Sequence, residues 1–241
     1  MKSFHFRKSL AVHFIVGVIA LPTLATSAVT YDLGTDWANN ATYVNPNGPW
    51  AYLQGTSLLP HETGGVWGSS NVFAPGNVTG NFLPAFLGLI GDFLVTHSVD
   101  GYNGNPALGQ SILTWTAPTA GTISITGAVW NPQVNPNDPS VANRENTFTL
   151  YLGGVELTSG NVFAAPGTHS TEATAITFSF SSLPVANGEV LSLVNVADQA
   201  AGTESAIQLT ITESPVPLPV SLLLFAPGLT CLVAIRRRFK K

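Results

Sequence analysis

The chain has 241 residues and a formal net charge of −4, but the charge is unevenly placed: of nine Lys and Arg, Lys2, Arg7 and Lys8 stand near the start, and Arg236, Arg237, Arg238, Lys240 and Lys241 stand at the end. Between Asp32 and Glu213 lie all 13 acidic residues and one base, Arg144, a formal −12 that repels nucleic acid and draws no anionic lipid. The one cysteine, Cys231, excludes an internal disulfide and a cysteine-based metal site in the body.

Charged residues are only 9% of the chain, so solubility must come from hydroxyls and amides, a pattern that suits exported β-proteins. The start reads as a signal peptide. Lys2, Arg7 and Lys8 form its positive region, Leu10 to Leu24 its apolar run, and Ala25 to Ala28 offer small residues for signal peptidase. Residues 1–28 are therefore expected to be removed; the alternative is an uncleaved anchor.

The next part, Val29 to Gly109, is rich in Gly, Asn and aromatics, among them Trp37, Trp50 and Trp67. Trp50 to Leu53 and Val66-Trp67 read as short strands. Phe82 to Val95 is the most apolar piece of the body; at 14 residues it is too short to span a bilayer, and it reads as buried strand plus loop.

From Gln110 onward the pattern is strands and turns. Ser111 to Thr116 alternates, with Leu113 and Trp115 on one face. After the turn Pro118 to Gly121, Ile123, Ile125 and Val129 face one way and Thr122, Ser124 and Thr126 the other, the period-two signature of a half-buried strand. Asn131 to Asn143 is a Pro/Asn loop. Phe148, Leu150 and Leu152 form the next apolar face, and Gly153-Gly154 signals a tight hairpin into Val155. Ile176, Phe178 and Phe180 alternate again. Glu189 to Val196 is apolar on both faces and reads as a central strand. Ile207, Leu209 and Ile211 close the series. Turns at this spacing predict an all-β fold: a single antiparallel β-sandwich, jelly-roll-like, over residues 29–213, with no sustained helical period.

Residues 214–241 differ in kind. Val216, Pro217, Leu218 and Pro219 form a short Pro motif, residues 220–235 carry no charge, and residues 236–241 are the basic cluster. From Val216 to Ile235 there are 20 residues, which as a helix span a hydrocarbon core of about 30 Å. The basic cluster would stay on the cytoplasmic side, and Cys231 reads as a small residue of the span. Motif, span and arginines in this order resemble the PEP-CTERM sorting signal of Gram-negative bacteria. The motif is here Val-Pro-Leu-Pro rather than Pro-Glu-Pro. The resemblance implies a transmembrane sorting helix that an exosortase recognises and cleaves near the motif, with a transient inner-membrane stage before release to the surface. The stretch Trp115 to Gly127, with Leu152 to Val155 and Ala186 to Glu189, also resembles the β-sandwich found ahead of such tails.

Chemistry is sparse. His61, His97 and His169 share no metal-ligand spacing, and no hydrolase elbow, P-loop or dinucleotide fingerprint is present. Asp100, Asn103 and Asn105 place oxygens in a flexible loop, which makes them a calcium candidate, although Asn-Gly runs are also ordinary turns. Arg144 offers either a fork for a ligand carboxylate or sugar hydroxyls, or a structural anchor at the start of a strand. Trp37, Trp50 and Trp67 are candidates for sugar stacking or for the core. The reading is a non-enzymatic, exported cell-surface or extracellular-matrix protein. Its alternative is a carbohydrate-binding module for exopolysaccharide, and behind that a secreted hydrolase.

Overall fold

The computed structural model describes residues 27–63, 72–75, 83–102, 104–133, 144–163, 174–198 and 202–215. Most of the signal segment, the tail from Val216, Trp67 with its expected strand, His169 and Asn103 lie outside the described residues.

The described residues form two antiparallel sheets. In chain order the strands are β1 (Val29–Asp32), β2 (Trp50–Gln54), β3 (Ser57–Leu58), β4 (His61–Glu62), β5 (Val72–Phe73), β6 (Ala85–Ile90) and β7 (Phe93–Ser98). Then follow β8 (Ser111–Thr116), β9 (Gly121–Trp130), β10 (Glu145–Leu152), β11 (Val155–Phe163), β12 (Ile176–Val185), β13 (Val190–Ala197) and β14 (Thr203–Pro215). The first sheet runs β12-β9-β14-β7-β6-β5-β4, with β1 added beside β14; the second runs β11-β10-β13-β8-β2-β3.

The alternation read from the sequence explains how the sheets face each other. In β9, Ile123 and Ile125 are buried while Thr122, Ser124 and Thr126 are exposed. In β10, Phe148, Leu150 and Leu152 are buried. One apolar layer joins Trp50, Tyr52, Leu113, Trp115, Phe148 and Leu193 of the second sheet to Leu94, Ile125, Val129, Ile207 and Ile211 of the first. Each such side chain contributes about 1.5–3 kcal/mol on burial, so this layer holds the two sheets face to face as a sandwich.

Seven strands follow Gln110, where the turn spacing places them. At the Gly-Gly hairpin both glycines take positive φ, +57° at Gly153 and +81° at Gly154, as a two-residue turn requires. β13 is central in its sheet, between β10 and β8, but its outer face is not buried: Ser192, Val194 and Val196 are half-exposed.

One local expectation is corrected, and one short element is added. Phe82 to Val95 is not strand plus loop: β6 and β7 form a hairpin, because Gly91 at φ +61° lets the chain reverse beside Asp92. The stretch after β1 contains a short helix, α1 (Leu33–Ala38). Asp32 caps it by accepting from the Thr35 N–H at 2.9 Å, and it also accepts from Thr210 Oγ1 at 3.0 Å, which ties the helix start to β14. Leu33 and Trp37, four apart, bury on one face.

Among the described residues no helix is long and apolar enough to cross a membrane.

Candidate functional site

Strand direction gives the sandwich two unlike ends. At one end β8, β9 and β14 meet near Thr116, Gly121 and Pro215, and β1 begins with Val29 opposite Glu213. At the other, β7, β9, β11 and β13 stop while β8, β10, β12 and β14 start. This second end, the loop end, carries Arg144, Glu204 and His97.

Arg144 directly precedes β10 of the second sheet. Its Nη1 donates to the carbonyl of Gly202 at 3.0 Å, just before β14 of the first sheet. The guanidinium thus ties the two sheets, through a rigid fork suited to a fixed carbonyl. Burial pushes the Glu204 carboxyl above its ordinary value, and the positive charge of Arg144 opposes that shift without cancelling it. His97 stands directly across from Glu204 on β7. It is 2% exposed, and its Nδ1 lies 2.8 Å from the carbonyl of Leu83. A carbonyl only accepts, so Nδ1 carries the proton in that bond. Gly202, at φ +78°, lies so close to the His97 ring and to Ser98 O that a Cβ there would collide with both.

A second tie lies just inside. Asn146 Oδ1 accepts from Ser98 Oγ at 2.8 Å, and its Nδ2 donates to Thr203 O at 3.0 Å and to Ser205 Oγ at 2.9 Å. Asn146 is fully buried, so these bonds run between the sheets away from water.

The stacking candidates lie elsewhere. Trp50 is fully buried in the core, opposite Trp115, and its Nε1 donates to Asp36 Oδ2 at 2.8 Å. Trp37 is 7% exposed and packs edge-on against Tyr52 and Phe73. Neither ring presents a face to a sugar, because both fill the inter-sheet layer. The row Trp50–Trp115–Leu191–Leu152 is seven residues along β10 from Glu145, about 23 Å at strand rise. Arg144 and Trp50 therefore belong to opposite ends and form no common site.

An aromatic feature that composition did not single out is Tyr43. Its backbone is left-handed at φ +47°, unusual for a residue with a Cβ. Its ring stacks on His61 at 4.6 Å and 9°, and both are half-buried. Behind them Phe73, Tyr52, Trp37 and Phe86 continue as touching rings into the core.

Of the calcium candidates, Asp100 is exposed, and Asn105 uses its Oδ1 to accept from Ala107 N at 3.0 Å at the start of a 3-10 turn, Pro106–Leu108. No three of His, Cys, Asp and Glu gather for a metal ion among the described residues.

Sequence reasoning missed Asn146, Ser98, Glu204 and Tyr43. For Asn146 the signal was present: it occupies an inward position in the same alternation as Phe148 and Leu150.

The sequence matches no family model and no curated protein. Solved structures to which the chain is similar include a cleaved adhesin domain of Lys-gingipain from Porphyromonas gingivalis, at 11% identity and TM-score 0.39, covering 77% of this chain and 99% of that one. A family 35 carbohydrate-binding module from Clostridium thermocellum is 12% identical with TM-score 0.31, covering 77% and 98%. The C-terminal CBM6 of a laminarinase from Zobellia galactanivorans is 11% identical with TM-score 0.30, covering 78% and 100%. At such identities and scores a shared activity does not follow.

Proposed function

We propose that this chain is an exported, non-enzymatic surface protein whose β-sandwich is delivered through the membrane tail and released by an exosortase at Val216 to Pro219. One observation supports the reading: among the described residues, strands extend to within a residue of both expected processing segments. β1 starts at Val29, directly after the small residues suited to signal peptidase, and Val29 pairs with Glu213. β14 stays paired with β9 as far as Pro215 opposite Gly121, one residue before the motif. Cuts at about Ala28 and within the motif would leave every described strand of the sandwich whole. Mass spectrometry of the exported protein tests this. The expected form starts near Val29 and ends near Pro219; recovery of Arg236 to Lys241 on the exported form would sink the sorting claim.

A second reading, binding of a neutral glycan, is favoured by Tyr43. A half-buried ring on a left-handed backbone, backed on one face by His61, suits a sugar-stacking position. With one Arg against 13 carboxylates in the body, such binding would be nearly independent of salt. Acidic glycans would need a bridging cation such as calcium. A pulldown on purified polysaccharides with calcium and with chelator decides it. Retention by no glycan would leave the plain structural role.

A further inference from the structure

Toward the loop end the inward rows mix neutral polar side chains with apolar ones such as Phe148 and Ala197. The second sheet sets Ser111 and Asn195 inward as direct cross-strand partners, with Phe148 next in that row on β10 and Asn146 two residues along it. The first sheet sets Ser98 and Thr203 inward as partners, with Ser205 two residues along β14. All six polar residues are at 0% exposure. Asn146 is fully used, on Ser98, Thr203 and Ser205. Asn195 is the reverse case. Neither its Oδ1 nor its Nδ2 has a hydrogen-bond partner, and the same is true of Ser111 Oγ and Thr203 Oγ1.

Native interiors leave few polar groups in that condition, and a fully buried amide with both ends unbonded is strongly unfavourable. We propose that this layer is an internal hydration site, in which ordered water between the sheets is held by Asn195, Ser111 and Thr203. The set of atoms selects the ligand. Nδ2 only donates, Oδ1 only accepts, and the two hydroxyls do either. Water donates and accepts at once and is the smallest abundant species that does, so it can complete both ends of one amide. A cation would face the Nδ2 hydrogens, and none of the six side chains is a carboxylate that would neutralise it. An anion would face Oδ1. Buried water typically makes about three bonds, so more than one molecule is needed to complete the four atoms. These waters extend the tie that Asn146 begins. The loop end is thereby joined by polar bonds between the sheets.

The test is a high-resolution crystal structure of the full chain in detergent, paired with the Ser111→Ala/Asn195→Leu/Thr203→Val variant. The expected result is density within hydrogen-bonding distance of Asn195 in the wild type and its loss in the variant. A wild type in which Asn195 bonds Ser111 or Thr203 directly, with no density between them, overturns the proposal. So does a peak that gives an anomalous signal after rubidium soaking, which would mean a monovalent cation. Oxygen-17 relaxation dispersion on the wild type gives a reading that does not depend on the variant folding. Long-lived internal water is expected, and its absence overturns the site.

Discussion

Glu213 Oε1 accepts two hydrogen bonds from one residue, Thr119: one from its backbone N–H at 3.0 Å and one from its hydroxyl at 2.9 Å. The other oxygen, Oε2, accepts from Tyr31 at 3.3 Å. Glu213 is 1% exposed, so this carboxylate joins β14, the turn between β8 and β9, and β1 out of reach of solvent. It stands three residues before the motif at Val216. Glu213→Ala should therefore lower stability by about 2–4 kcal/mol, since it strands buried donors. Glu213→Gln keeps an acceptor and should cost less. Urea unfolding of the purified variants checks the order. Equal losses for both would mean the charge, not the acceptor geometry, is what matters.

Trp50 and Tyr43 separate core from surface. Trp50→Ala removes a fully buried ring and its bond to Asp36, and should cost about 3–5 kcal/mol. Any glycan retention should then fall only as the protein unfolds. Tyr43→Asn keeps a residue that tolerates the left-handed backbone. It should leave the thermal midpoint nearly unchanged and abolish retention on neutral glycans. Retention that survives Tyr43→Asn would remove Tyr43 from the second reading.

Two carboxylates pull stability in opposite directions with pH. For Asp32, burial favours the neutral acid, but bonds from Thr35 and Thr210 outweigh it and hold its pKa below the ordinary value. Its contribution is present above the unfolded pKa and is lost as pH falls through the folded one. For Glu204 burial wins over Arg144, and the pKa is raised. Its folded state is favoured in acid, and that advantage disappears as pH rises from the unfolded pKa through the folded one. Asp32→Asn should thus lower the midpoint at neutral pH, by about 1 kcal/mol or less for a retained cap. Glu204→Gln should raise it. Both differences should close in acid. Thermal melts at a series of pH values read the signs, and a lower midpoint for Glu204→Gln at neutral pH would show that pairing with Arg144 outweighs desolvation.

Arg144→Ala should lower stability by about 1–2 kcal/mol, because the Gly202 carbonyl loses a charged donor where β14 begins. Arg144→Lys should recover only part, since a single ammonium lacks the planar fork. Circular dichroism and unfolding curves measure it. Unchanged stability with altered glycan retention would instead make Arg144 a ligand contact.

Much of the architecture was legible because strands write their burial into alternate positions. Ile123 and Ile125 against Thr122 and Ser124, or Phe148 and Leu150 against Thr147 and Thr149, state both the element and its inward face. Gly153-Gly154 stated its turn, since few other pairs take two positive φ values. α1 was not legible: six residues offer too few repeats for a helical period to stand out, and its cap lies on Asp32, whose second partner, Thr210, is 178 residues away. The β6–β7 turn at Gly91-Asp92 was hidden inside a run that is apolar on both sides.

The candidate sites divide in the same way. Composition and order alone determined the acidic body, the lone Arg144 and the two apolar runs flanked by basic residues at the ends, because these are properties of the chain taken in sequence. Tertiary structure alone decided that Trp50 and Trp37 are core, that Tyr43 is the aromatic ring stacked on His61 outside the inter-sheet layer, and that Arg144 reaches the carbonyl of Gly202. It also decided that Asn195 and Ser111 stand side by side, as cross-strand partners, in a buried polar layer. A tryptophan or an asparagine reads the same in sequence whether its neighbours cover it or leave it open. Those neighbours come from strands up to a hundred residues or more away, and only their register brings them together.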